Sequence, residues 1–255
     1  MDARRLPAVL TAALLLMAIF TFMPAAAGDS LPAAPRLHSA QYATEWYLAE
    51  GCTAGDFETW VLVLNTNSDA VDITMDFQTD TGPVPGPRET IPANSRRSYN
   101  IGEYVNTYNV STRVTSSGGD IICERAMYGG NRTWAHDSIG VTAPSLLWYL
   151  AEGCTAGDFE TWVLVMNESD NQEDIVMVFL TDGEVILGPS ESLPPRSRKS
   201  YDVGIYVSSY DVSTMVLGGN GKIICERAMY GGNRTWAHDS IGYPYAIDGP
   251  LQAGL

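Results

Sequence analysis

Apolar and polar residues alternate with a period of two through much of this chain. Val71, Ile73, Met75 and Phe77 are interleaved with Asp72, Thr74, Asp76 and Gln78, the pattern of a strand with one wet face. "ETWVLVLN" (58–65) and "DIICERAMY" (120–128) are β-rich runs bounded by Gly, Asp and Asn, and "RRSYNI" (96–101) alternates as well. Turn-forming clusters stand at "TDTGPVPGP", "IPANS", "SSGGD" and "YGGN". No stretch carries a sustained helical period, and "IGEYVNTY" suits one short helical turn.

The pattern is written twice. "WYLAEGCTAGDFETWVLV" opens at Trp46 and again at Trp148, and "IICERAMYGGNRTWAHDSIG" opens at Ile121 and Ile223. A shift of 102 positions lays Trp46–Gly140 on Trp148–Gly242 without a gap, with roughly two thirds of positions identical. Such a period exceeds the roughly 20–50 residues of a solenoid unit and suits one β-sandwich domain. With about seven short strands per unit, the expectation is an all-β chain of two tandem immunoglobulin-like β-sandwich domains. The expected organisation is a signal peptide at 1–27, a leader at 28–43, repeat 1 at 44–140, a linker at 141–147, repeat 2 at 148–242 and a tail at 243–255.

The signal peptide is read from Arg4 and Arg5, an apolar run from Ala8 to Met23, and small residues Ala25–Ala27. The apolar run is shorter than the roughly 20 residues of a spanning helix, so cleavage and a secreted or cell-surface location are expected, with no membrane span afterwards. The net charge is −15 and the only lysines are Lys199 and Lys222, which argues against a nucleic-acid partner.

Export places the four cysteines in an oxidising compartment. Because each repeat carries two, the expected disulfides are Cys52–Cys123 and Cys154–Cys225, tying the first block of each copy to the last. One His and two Cys per copy, without C-x-x-C spacing, make a poor zinc set.

His136, Asp137 and Ser138, like His238, Asp239 and Ser240, spell a triad in letters only. On a strand such neighbours point to alternate faces, and a triad is assembled from distant segments. Glu50, Asp56, Glu58, Glu124 and Asp137 recur as Glu152, Asp158, Glu160, Glu226 and Asp239. They suggest a glycosidase acid/base pair, a Ca²⁺ site, or a structural role in which Glu124 and Arg125, with Arg132, form ion pairs and backbone hydrogen bonds at the sandwich end. The last is preferred, so no catalytic residue, metal ligand or cofactor is assigned, with Ca²⁺ as the alternative. Three Trp per copy leave room for an exposed platform that stacks on sugars. The candidate ligand-binding residues are Trp60, Trp134, His136, Trp162, Trp236 and His238.

The copies drift in the middle. Thr74, Asp76 and Gln78 become Val176, Val178 and Leu180, beside Ile186. An apolar outer face is costly in water, so these four residues are the expected interface, covered by copy one, a second chain or a surface partner.

The segments "WYLAEGCTAGDFETWVLVLN", "IPANSRRSYNI" and "DIICERAMYGGNRTWAHDSIG" resemble a β-sandwich repeat of large secreted bacterial proteins, where the unit occurs in series, sometimes beside cell-wall enzymes. That family has no assigned activity, so the resemblance implies a fold and a location and no catalytic residue. The expected function is an exported, non-catalytic structural or adhesive module at the cell surface or in the extracellular matrix. Its expected partners are a surface polysaccharide, a protein, or a second copy of itself. The alternatives are a carbohydrate-binding module and a hydrolase built on the Glu/Asp cluster.

Overall fold

The computed structural model describes residues 43–245. The expected signal peptide, the leader up to 42 and the tail beyond 245 lie outside the described residues. Copy one contains β1 (Glu45–Leu48), β2 (Glu58–Asn65), β3 (Val71–Thr79), β4 (Gly82–Ile91), β5 (Ser95–Asn100), β6 (Val110–Ser117), β7 (Ile122–Gly129) and β8 (Trp134–Ile139). Copy two repeats them as β9 (Leu147–Leu150), β10 (Glu160–Asn167), β11 (Glu173–Leu180), β12 (Val185–Leu193), β13 (Ser197–Asp202), β14 (Ser213–Gly218), β15 (Ile223–Gly231) and β16 (Trp236–Ile241), and adds β17 (Tyr243–Tyr245).

The fold is all-β and consists of four sheets, two per copy. Their strand orders are β1-β6-β3-β4 and β5-β2-β7-β8, then β12-β11-β14-β9-β17 and β13-β10-β15-β16. Period-two alternation fills each sandwich: Val61 and Val63 of β2 meet Ile73, Met75 and Phe77 of β3 in one core, and Val163, Val165, Met177 and Phe179 do the same in the other. The short helical turn expected at "IGEYVNTY" is a 3-10 turn at Ile101–Glu103, whose first free N–H, Gly102 N, donates to the Asn100 side chain. Among the described residues no helix is long and apolar enough to cross a membrane.

One turn assignment is corrected. "GPVPGP", read as a loop, is the first half of β4, paired in register with β3 through Pro83↔Gln78 and Pro85↔Asp76. Proline cannot donate to a ladder, so it is confined to edges, and β4 is an edge strand.

The disulfide assignment is also corrected: all four cysteines are buried and free. Cys52 lies beside the start of β2, where Thr59 Oγ1 accepts from Cys52 N at 2.9 Å and donates to Cys52 O at 2.7 Å. Cys123 is opposite Val63, near the other end of the same strand. Four strand residues separate the two, about 13 Å, and a bridge needs Cα atoms within about 7 Å. Cys154 beside Thr161 and Cys225 opposite Val165 repeat the arrangement. The expected proximity of the two identical blocks does hold, through polar contacts: Trp46 Nε1 donates to Ile121 O at 2.8 Å, and Gly130 N donates to Asp56 at 2.9 Å.

Candidate functional site

The two copies belong to one compact unit, and their junction is built from the identical blocks. In β7, Arg125 points into copy one toward the end of the sandwich, while its neighbour Glu124 points out to solvent. In β8, His136 is buried and Asp137 exposed. Copy two presents the other side of the same alternation. The outward-pointing Leu164, Glu226, Ala228, Tyr230 and Asp239 of its β13-β10-β15-β16 sheet lie against the sandwich end of copy one.

Arg125 is the centre of the contact. Its Nη2 lies 2.9 Å from Glu50 Oε2, 3.0 Å from Glu226 Oε2 and 2.8 Å from Asp239 Oδ1, and all four side chains are at most 2% exposed. Its Nη1 lies 3.2 Å from His136 Nδ1. Glu226 Oε1 accepts from Ala49 N at 2.7 Å, and Arg198 Nε donates to Ala49 O at 3.1 Å. Asn109 Oδ1 accepts from Arg198 Nη1 at 2.8 Å and from Ser200 N at 3.1 Å. Both backbone groups of Ala49 in copy one are therefore satisfied by side chains of copy two.

Buried charge is costly unless it is balanced, and burial and neighbouring charges shift the groups of this cluster in opposite directions. Burial keeps the Asp239 carboxyl well above the usual carboxylate range, with the charge of Glu50 adding to it, so Asp239 holds its proton. Burial also works to raise Glu50, but Arg125 and then His136 outweigh it and hold that carboxyl below its usual range. Burial brings His136 down to about 4, leaving it neutral near pH 7. Two guanidinium groups, those of Arg125 and Arg198, are thereby set among the carboxyl groups of Glu50, Glu226 and Asp239 and the backbone of Ala49.

Glu50, His136 and Asp239 each offer a ligand atom within 4.8 Å of the others. Ca²⁺ takes about 6–8 oxygen ligands, and the mixed nitrogen and oxygen set of three around an arginine does not supply them.

The sequence-derived ligand residues divide between the copies. Trp134 and His136 are buried, Trp134 packing edge-on to Tyr230 of copy two at 5.3 Å and stacking on His136 at 5.8 Å. Their assignment as an exposed sugar platform is corrected: copy two covers them. Trp236 and His238 keep the same stack at 6.1 Å, with Trp236 at 38% exposure. Trp60 and Trp162 are half-buried. Trp162 borders a cleft of about 330 Å³ between the copies, walled also by Phe57, Tyr108, Tyr230 and Arg234. Of the expected interface residues, Val178 is buried, with Met215 and Leu187 as its register partners on the flanking strands, while Val176, Leu180 and Ile186 are half-buried. None of the four belongs to the junction cluster. Sequence reasoning missed Glu226 and Arg198 as interface residues. For Glu226 the signal was the alternation itself, which sends Glu and Arg of "CERAM" to opposite faces; Arg198 lies on another strand, Ser197–Asp202.

No family model matches the chain, and no curated protein matches it. Among solved structures, an Anabaena sensory rhodopsin transducer is 20% identical with a TM-score of 0.29, over 32% of this chain and 94% of its own. A Thermotoga maritima protein, 1070, is 17% identical with a TM-score of 0.36, over 41% of this chain and 97% of its own. A Streptomyces avermitilis α-L-rhamnosidase, solved with L-rhamnose, is 9% identical with a TM-score of 0.24, over 79% of this chain and 27% of its own. None of these alignments reaches the similarity from which a shared fold follows.

Proposed function

We propose that this protein is an exported, non-catalytic structural module that acts in adhesion or scaffolding at the cell surface or in the extracellular matrix. One observation carries the reading. The polar residues most suggestive of chemistry, Glu50, Arg125, His136, Glu226 and Asp239, are used to join the two copies, with side chains at most 2% exposed. A glycosidase needs two carboxyls facing a cleft that admits a sugar. Here Arg125 fills the space between Glu50 and Asp239. Each copy is further proposed to be a variant of the immunoglobulin-like sandwich. The pairings β2–β5 and β3–β6 fit its central strands, while β7 joins β2 where an immunoglobulin domain would pair its last strand with β6.

A second reading, saccharide binding, is favoured by the cleft between the copies, where Phe57, Tyr108 and Trp162 present aromatic surface beside Arg234. Binding and hydrolysis on a panel of cell-wall and surface polysaccharides test both. Neither binding nor cleavage is expected for a scaffold. Saturable binding abolished by Trp162→Ala would move the function to the cleft, and turnover of any glycan would overturn the non-catalytic reading.

A further inference from the structure

The contact between the copies is heterologous: the sandwich end of copy one meets the outer sheet face of copy two. Each copy owns both surfaces, so among the described residues one of each is left without a partner. On copy two the sandwich end is open. Arg227 Nη2 reaches Glu152 Oε2 at 2.9 Å and Arg227 Nη1 reaches His238 Nδ1 at 3.1 Å, as in copy one, but the Glu152 side chain is 56% exposed and Ala151 is exposed. On copy one the outer face is open. Glu124, Asp137, Arg96 and Ser98 are exposed, and Leu62, Ala126 and Tyr128 are half-buried. Their counterparts Leu164, Ala228 and Tyr230 are at most 5% exposed under the junction.

The two unused surfaces carry the letters of the surfaces already joined. The outer-face residues Leu164, Arg198, Ser200, Glu226, Ala228 and Asp239 recur unchanged as Leu62, Arg96, Ser98, Glu124, Ala126 and Asp137. The sandwich-end residues Ala49, Glu50, Cys52, Arg125, Trp134 and His136 recur as Ala151, Glu152, Cys154, Arg227, Trp236 and His238. Asn109, which accepts from Arg198, becomes Asp211, a charged acceptor for Arg96 and a stronger one. The flanking contacts differ. Glu168, which bonds to Gln78 and pairs with Arg113 across the junction, has Thr66 as its counterpart in copy one.

We infer that copy two of one chain binds copy one of another through this same contact, so that chains associate head to tail. A heterologous contact of this kind builds a ring if its rotation closes and an open filament if it does not. In either case Arg227 gains Glu124 and Asp137 of the next chain as partners. Without the Glu168 contacts the link between chains is weaker than the junction within a chain. The inference rests on the structural-module reading and names its partner, a second copy of this chain.

Sedimentation of the full chain at physiological salt, where self-repulsion of the −15 charge is screened, tests it with two variants at surface positions. Ala126→Arg obstructs the outer face of copy one, and Ala151→Arg obstructs the sandwich end of copy two. The wild type is expected to rise in mass with concentration above the 27.6 kDa of one chain. Each variant alone stays at one chain, with an unchanged melting temperature showing that it is folded. An equimolar mixture forms a two-chain complex and nothing larger, because each variant retains one sound surface. A wild type that stays at one chain, association that survives either variant, or a mixture that does not pair would overturn the inference. Glycan turnover in the same samples separates failure of the underlying reading from failure of the assembly, since a monomer without turnover leaves the structural module standing.

Discussion

Arg125 of the first copy and Glu226 of the second form an ion pair at 3.0 Å with neither side chain exposed, although Arg227 and Glu124, their equivalents one repeat away, do not meet. Removing one partner of a buried pair leaves the other charge stranded, at a cost of about 3–5 kcal/mol. Arg125→Met is therefore expected to lower unfolding stability by that amount. Arg227→Met, whose partner Glu152 is 56% exposed, should cost about 1 kcal/mol or less. Urea unfolding of the two variants side by side measures the difference; equal losses would mean that the junction does not hold the copies together.

The same cluster sets the pH dependence. His136 is depressed to about 4 from an unfolded value near 6.5, so between these limits the unfolded chain binds more protons and stability falls as pH falls. Glu50, held below its usual range, extends the loss to lower pH. Asp239 acts in the opposite sense. Its folded value is raised, so above its unfolded value the folded chain binds the extra proton, and stability falls as pH rises toward the folded value. Stability is expected to peak in mildly acidic solution and to decline on the alkaline side by up to about 1.4 kcal/mol per pH unit. Asp239→Asn, which mimics the protonated acid, should flatten the alkaline limb. An unchanged alkaline slope in this variant would remove Asp239 as the cause.

Gly129 is required by Trp134. The two are register partners across β7 and β8, and a Cβ on Gly129 would stand 2.0 Å from Trp134 Cζ2. The indole lies over the bare backbone, an arrangement in which an aromatic ring covers a strand glycine. Gly129→Ala is expected to destabilise by about 1–3 kcal/mol through overpacking. In a Trp134→Ala background the same change should cost much less, since the clashing ring is gone. Additive losses in the double-mutant cycle would count against the contact.

The strands were legible because the inner faces are apolar at every second position, as in Val71, Ile73, Met75 and Phe77. β4 was not, because Pro83 and Pro85 signal turns locally and are tolerated only because the strand lies at an edge, which is a tertiary property. The junction was half legible. The identical blocks pointed to a shared surface, and Arg125 and Arg132 were read as ion-paired, but Arg125 pairs with Glu50 and Glu226 rather than with the expected Glu124, which points out to solvent. What the letters concealed is that neighbours in "CERAM" and "AHDS" serve opposite sides of one contact. A repeat that must offer both sides of an interface keeps adjacent residues fixed for different reasons, and only the packing of copy against copy separates them. The exposed-Trp reading failed for Trp134 on the same ground, whereas its equivalent Trp236 remains open.

The cysteines give the most direct check on the fold. Burial pushes the Cys52 thiol up to about 11 and raises Cys123 and Cys225 well above the ordinary thiol range. A thiol reacts as its thiolate, so these groups should be inert while the chain is folded even though none is paired. The native protein is expected to show almost no reaction with a thiol reagent at neutral pH, and four thiols after unfolding without reductant. Its melting temperature should be the same with and without reductant, because no bridge restricts the unfolded chain. Fewer than four titratable thiols in denaturant, together with a melting temperature that drops on reduction, would require bridges and would move Cys52 some two turns of the pleat along β2 from where Thr59 holds it.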